Sequence, residues 1–204
     1  WGIKNLTKDE VKKSKRIKPD HKTVSYYQKT VNLMQDNNKI SEEIQKIVKK
    51  SEEGDEKTLD MIKDAYLPVL KGMKESLNRL NIKIDKFIPE SKFVKDKSVN
   101  DVIKKLNETN YSQIDDYARF IDLKNFGIKG RNTKFFYIRK DGTTLYATRD
   151  IAYHLWKAKK ADFLINILGE DHKLESKQVK IALELLGENN IPNVIFYAFV
   201  SLPE

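Results

Sequence analysis

A chain of 204 residues, 39% apolar and 34% charged, is long enough for one large domain, or a core with a sizeable insertion, and has the makeup of a globular protein. It has no cysteine, which excludes a disulfide framework and a thiolate metal site, and no run of about eighteen apolar residues to cross a membrane. A net charge of +9 favours polyanions such as RNA or phosphates, yet a Lys-rich solubilising surface accounts for it equally well, and lysine far outnumbers the bidentate arginine.

The opening Trp1-Gly2-Ile3-Lys4 lacks the apolar core of a signal peptide. A start at Trp1 instead of Met reads as a segment of something longer, and the missing cysteines are compatible with the cytosol. Residues 1–22 read as an irregular polar connection, and the basic cluster Lys12-Lys13-Ser14-Lys15-Arg16 is a solvated face before it is a nucleic-acid contact. Residues 23–81 read as a helical insertion. Tyr27, Val31 and Met34 form one stripe, broken at Asp36-Asn37-Asn38. A second stripe, Ile40, Ile44, Ile47 and Val48, runs to the turn Glu53-Gly54-Asp55. A third, with Leu59, Ile62, Tyr66, Val69 and Met73, is kinked or split by Pro68 and continues to Leu77 and Leu80. These side chains are assigned to a helix-bundle core.

Residues 82–204 carry the α/β pattern. Ile82 to Ile88 alternates like a strand, and Ser98 caps a helix bearing Val99, Val102, Ile103 and Leu106. Between 109 and 133 the pattern is weak: Ile114, Tyr117 and Ile121 hint at a short helix, and Gly127 and Gly130 mark a loop. The apolar run Phe135-Phe136-Tyr137-Ile138 then meets Asp141-Gly142, a two-residue hairpin signal. Alternation of Thr144, Tyr146 and Thr148 against Leu145 and Ala147 predicts a strand, and Ile151, Leu155 and Ala158 predict a helix opening at Asp150. A tyrosine and an aspartate therefore arrive where strand hands over to helix, a usual place for a ligand contact.

Phe163 to Leu168 predicts a buried parallel strand, followed by a helix from about Leu174 to Leu186, a stop at Gly187 and a second buried strand from Val194 to Val200. Such a unit implies a right-handed crossover, with Gly169, Glu170, Asp171 and His172 at the carboxyl end of its first strand, where open parallel sheets bind ligands. A carboxylate there can accept both hydroxyls of a ribose, and a helix start offers amides to phosphate. Each residue also has a plainer role: Asp150 and Asp171 as helix N-caps, His172 as a structural histidine.

The stretch Asp141-Gly142-Thr143-Thr144-Leu145-Tyr146-Ala147-Thr148-Arg149-Asp150-Ile151-Ala152 resembles the strand-to-helix signature of arginyl-tRNA synthetases, class I enzymes with a Rossmann catalytic domain, in its archaeal form. The likeness continues through Leu164-Ile165-Asn166-Ile167-Leu168-Gly169-Glu170-Asp171-His172-Lys173 and ends in Val194 to Glu204; the last third of the chain carries it well and the rest loosely. The resemblance implies an α/β fold, the second half of a Rossmann-type parallel-sheet domain with an α-helical insertion between the halves. It implies L-arginine recognition by Tyr146 and Asp150 and ATP binding by Gly169, Asp171 and His172, with Mg2+ accompanying the nucleotide and tRNA(Arg) as acceptor. Chemistry agrees with the first pair, since a guanidinium seeks a planar carboxylate for paired charge-assisted hydrogen bonds.

Neither a His-Ile-Gly-His-type motif nor a Lys-Met-Ser-Lys-Ser-type loop is present, and the latter would begin shortly after Glu204. No Walker loop replaces them. The expectation is an internal piece of a cytoplasmic arginine–tRNA ligase, inactive alone. A non-catalytic RNA- or arginine-binding paralogue is one alternative; a generic nucleotide-binding α/β domain with a helical interaction module is another.

Overall fold

The helical stripes build the first of two units, Trp1–Ser91, and the α/β pattern builds the second, Lys92–Glu204. The computed structural model describes residues 1–11, 18–130 and 133–198. The basic cluster at 12–16 and the last residues of the expected final strand, Phe199 and Val200, lie outside the described residues.

Residues expected to be irregular up to position 22 are already helical in α1 (Gly2–Asn5) and at the start of α2 (Pro19–Asp36). Pro19 occupies the opening turn of α2, where its missing N–H is an orphan anyway and its fixed φ suits a helix. α3 (Asn38–Glu52) is capped by Asn37, whose side chain accepts from Lys39 N at 3.0 Å. α4 (Glu56–Arg79) is capped by Asp55, which accepts from Thr58 N at 2.8 Å. Pro68 does not split α4, which continues through it for 24 residues. The ring removes one donor, but α2 packs along α4 and holds the segment helical. On α2 the buried side chains are Tyr26 and Thr30, while Tyr27 is 69% exposed, so the core-facing stripe lies one position from the expected one. Ile82 to Ile88 forms no strand, and Ile82 and Ile84 are exposed; alternation without a neighbouring edge to pair with makes no sheet.

α5 (Ser91–Lys95) and α6 (Ser98–Asn107) lead into the second unit. Ser98 is not the cap of α6 but its first residue: the Asp96 carboxylate accepts from Ser98 N at 3.0 Å and from the Ser98 hydroxyl. The stretch with the weakest pattern is an antiparallel sheet, not a helix. β1 (Ser112–Asp115) and β2 (Ala118–Asp122) join through Asp116 and Tyr117, both with positive φ (46° and 66°), the backbone of a two-residue type I′ turn. β3 (Lys134–Ile138) pairs with β2. The sheet buries Phe120, Ile121, Phe135 and Tyr137, and the Tyr137 hydroxyl donates to Asn107 Oδ1 at 2.8 Å.

After β3 the chain turns through a three-residue loop, Lys140-Asp141-Gly142, not the expected two: Arg139 N donates to Thr143 O at 2.8 Å and Gly142 N to Arg139 O at 2.9 Å. Gly142, at φ 82°, takes the left-handed position such a loop requires. The predicted strand up to Thr148 shrinks to a single bridge, Ile138 to Thr144, because α7 begins at Tyr146 (Tyr146–Ala158). Thr148 is fully buried and donates its hydroxyl to Tyr137 O at 2.8 Å, pinning the first turn of α7 against β3.

β4 (Ile165–Gly169), α8 (Lys173–Leu185) and β5 (Asn193–Tyr197) form the expected parallel crossover unit, with Ile167 opposite Ile195. The strands are not buried on both faces. Asn166, Leu168, Val194 and Phe196 turn towards α7 and α8, whereas Ile165, Ile167, Ile195 and Tyr197 are each more than half exposed on the opposite face. No helix among the described residues is long and apolar enough to cross a membrane.

Candidate functional site

Starting α7 at Tyr146 changes the position of Asp150. It stands in the second turn, not at the helix start, and the N-cap is Leu145, so Asp150 does not cap its helix. Its side chain, 39% exposed, borders a pocket of about 330 Å³ that runs from His172 and Phe196, at the carboxyl ends of β4 and β5, to Pro192 and Val194 at the amino end of β5. Leu168, Val179, Leu183 and Phe196 give the pocket an apolar wall, and its charged lining combines Asp150, His172 and Glu175 with Lys177 and Lys180.

Tyr146 lies one helical turn before Asp150 and is 55% exposed. Partial burial, then the negative charge of Glu175 and a hydrogen bond to it, hold its phenol above the ordinary value. His172 comes from a 3-10 turn, Glu170–His172, between β4 and α8. Its Nδ1 lies 2.8 Å from Glu175 Oε2 and its Nε2 lies 3.6 Å from Asp171 Oδ2. The hydrogen bond to Glu175 is the main cause that raises the His172 pKa above 6.5. Gly169 is buried at the carboxyl end of β4, while the Asp171 side chain is 54% exposed and does not cap α8, whose N-cap is His172.

Of the residues singled out in the sequence, the fold thus sets Asp150 and His172 on the lining of one pocket and Tyr146 beside Glu175 of that lining, with Gly169 and Asp171 in the adjoining turn. Sequence reasoning missed Glu175, His154, Lys157 and Asn166. Asp150 and His154 sit one turn apart on α7, and His154 is buried with Nδ1 2.7 Å from Asp150 O and 3.3 Å from Asp150 Oδ1. Its Nε2 lies 2.7 Å from Asn166 Nδ2, and Lys157 Nζ donates to Asn166 Oδ1 at 2.7 Å. Burial lowers the Lys157 pKa, against the opposing pull of Asp150. A helical i,i+4 pair and a lone asparagine inside an apolar strand were the available signals.

Because its folded value is raised, the His172–Glu175 pair contributes stability that is fully present below about pH 6.5 and is lost as pH rises through the folded pKa. Glu175→Gln is expected to return the His172 pKa towards 6.5, which a titration of the three histidine ring signals by NMR will read. A His172 titration unmoved by that change would show that Glu175 does not hold the proton.

The family model for class I tRNA synthetases (R), catalytic domain, matches residues 2–195. The chain belongs to this family. Among curated relatives of this synthetase chain, the arginine–tRNA ligase of Methanocella arvoryzae is 40% identical over 204 residues, all of this chain and 36% of the relative. That of Methanococcus aeolicus is 44% identical over 201 residues, 96% of this chain and 34% of the relative. The chain therefore spans about a third of the length of the curated relatives it matches. The solved arginyl-tRNA synthetase of Thermus thermophilus shares the fold, with a TM-score of 0.61 at 18% identity over 85% of this chain and 35% of that one. The α/β class I catalytic fold implied by residues 141–173 is thus the fold of this synthetase-family chain.

Proposed function

We propose that the chain supplies part of the catalytic domain of an arginine–tRNA ligase and holds its arginine-reading site. In the whole ligase the arginine carboxylate attacks the ATP α-phosphorus and pyrophosphate leaves; a ribose hydroxyl at the end of tRNA(Arg) then attacks the arginyl carbonyl and AMP leaves. Alignment and charge stabilisation drive both steps without a covalent enzyme intermediate. Asp150 takes the guanidinium, Tyr146 flanks it, and the apolar wall receives the methylene stem. Gly169, Asp171 and His172 face the adenosine end. Magnesium travels with the ATP phosphates; among the described residues no three His, Cys, Asp or Glu side chains gather as a metal site. A cytoplasmic enzyme is the setting this activity calls for.

The observation that carries this reading is the Asp150 carboxylate, relieved of any capping duty and set in the lining of a pocket with an apolar wall. The family membership supports it independently. The test is pyrophosphate exchange by the whole polypeptide that contains this chain. Exchange is expected to require arginine, with tRNA present, and to fail with lysine. Exchange that is equal with the two amino acids, or absent with arginine, would sink the reading.

A further inference from the structure

A buried histidine stands directly behind the Asp150 carboxylate, and its surroundings specify where its proton sits. His154 is 5% exposed, so its ring nitrogens must find partners inside the protein. Nδ1 faces two acceptors, the Asp150 carbonyl at 2.7 Å and the Asp150 carboxylate at 3.3 Å. Nε2 faces two donors, the Asn166 amide nitrogen at 2.7 Å and the Lys157 ammonium at 3.4 Å. The orientation of the Asn166 amide is fixed in turn: an ammonium only donates, so the oxygen of the amide is the atom that meets Lys157 Nζ at 2.7 Å. One arrangement satisfies all five contacts, a neutral ring with hydrogen on Nδ1 and a lone pair on Nε2. The opposite tautomer sets the one Nδ1 lone pair against two acceptors and the Nε2–H against two donors.

We propose that Asn166 fixes this tautomer of His154 and that His154, through its Nδ1–H, holds the Asp150 carboxylate in the direction that meets the guanidinium. Both are positioning residues, and the proposal rests on the assignment of Asp150 as the arginine reader. It accounts for a feature of the sequence that packing does not. Asn166 interrupts the otherwise apolar Leu164-Ile165-Asn166-Ile167-Leu168, and a polar side chain on the helix-covered face of a sheet costs stability unless it is hydrogen-bonded. With His154 at one oxygen of Asp150, the side chain still lines the pocket and is 39% exposed, and the charge of Lys157 is carried to the carboxylate through two hydrogen-bonding side chains.

The first measurement needs no variant. In the chain labelled with 15N-histidine, two-bond nitrogen–proton spectra of the three histidines report each tautomer. His154 is expected in the Nδ1–H form; an Nε2–H or doubly protonated ring overturns the proposal. The second compares Asn166→Ala with Asp150→Asn in the whole ligase. Asn166→Ala is expected to shift the His154 tautomer and raise KM for arginine about tenfold while kcat and KM for ATP change less than about twofold, a split that a merely structural lesion would not give. Asn166→Asp, whose carboxylate demands hydrogen on Nε2, is expected to reproduce that loss. An arginine KM raised by Asp150→Asn but untouched by Asn166→Ala would sink the positioning role alone. An arginine KM untouched by Asp150→Asn would sink the arginine assignment, and the positioning role with it.

Discussion

Replacing Asp150 by asparagine in the whole ligase is expected to lower kcat/KM for arginine by about 100-fold or more while KM for ATP moves less than about threefold. The amide keeps the shape of the carboxylate, and its oxygen can still accept from His154 Nδ1, so the change isolates charge. What is lost is one partner of a charge-assisted, fork-on-fork pair, and truncating such a pair costs about 2–5 kcal/mol, with tenfold in affinity for each 1.4 kcal/mol. The lower half of that range applies, because the Asp150 side chain is 39% exposed and water screens it. Steady-state pyrophosphate exchange with each substrate varied in turn measures the effect. Equal losses for arginine and ATP would assign Asp150 to the fold, or to both substrates.

This contrast in outcome depends on where α7 begins, which the sequence pattern misplaced by four residues. Alternation of Thr144, Tyr146 and Thr148 is a genuine strand signal, but Thr148 is buried by its hydroxyl bond to Tyr137 O, a tertiary contact that no local period contains. With the helix starting at Tyr146, the two proposed arginine readers stand on one helix, Tyr146 and Asp150 four residues apart on the same side. The competing role of Asp150 as a cap disappears for the same reason. The β4–α8–β5 unit was legible because apolar runs and a helical stripe between a glycine at each end leave few other choices. Exposure of its outer face was not, since an apolar run reads the same whether one face or two are covered. The Asp116-Tyr117 turn escaped because it lacks the Asn-Gly or Asp-Gly signature of its type. Glu175, His154 and Asn166 escaped for a different reason: their roles come from partners 3 to 29 positions away, His172 and Tyr146 for Glu175, Asp150 and Asn166 for His154.

The pocket collects charges of both signs. Net charge is +9, and the pocket lining combines Asp150 and Glu175 with Lys177 and Lys180, while Asp171 stands in the adjoining turn. In the proposed reading Asp150 and Glu175 meet a cationic amino acid, while the net positive charge of the chain favours polyanions. His172 is neutral or charged according to pH and is paired with carboxylates on both sides. Binding a guanidinium beside it opposes its protonation, so arginine is expected to pull the His172 pKa down, opposite to the action of Glu175.

The second large effect lies in the helical unit. Gly72→Ala is expected to destabilise that unit by about 2 kcal/mol, although alanine is the better helix former by about 1 kcal/mol. Gly72 is buried in α4, and a Cβ there would lie 2.3 Å from Asp20 Oδ1, 2.4 Å from Asp20 Cγ and 2.7 Å from Asp20 Cβ. A rotamer change relieves the first two contacts but not the third, so the start of α2 must retreat. Asp20 is also tied in place: Lys18 Nζ lies 3.3 Å from its Oδ2 and donates to Ser76 Oγ at 2.7 Å, one turn beyond Gly72 on α4. Its other oxygen, Oδ1, is buried without a hydrogen-bond partner, so the site already carries one uncompensated polar atom and has none to spare. For a unit of this size the loss corresponds to a Tm lower by about 8–16 °C, readable by thermal unfolding. In an Asp20→Ala background the same substitution meets only the Cβ, and its cost is expected to fall by about half. A Gly72→Ala protein as stable as the parent, or a cost that is the same in both backgrounds, would show that α2 and α4 do not depend on this close approach.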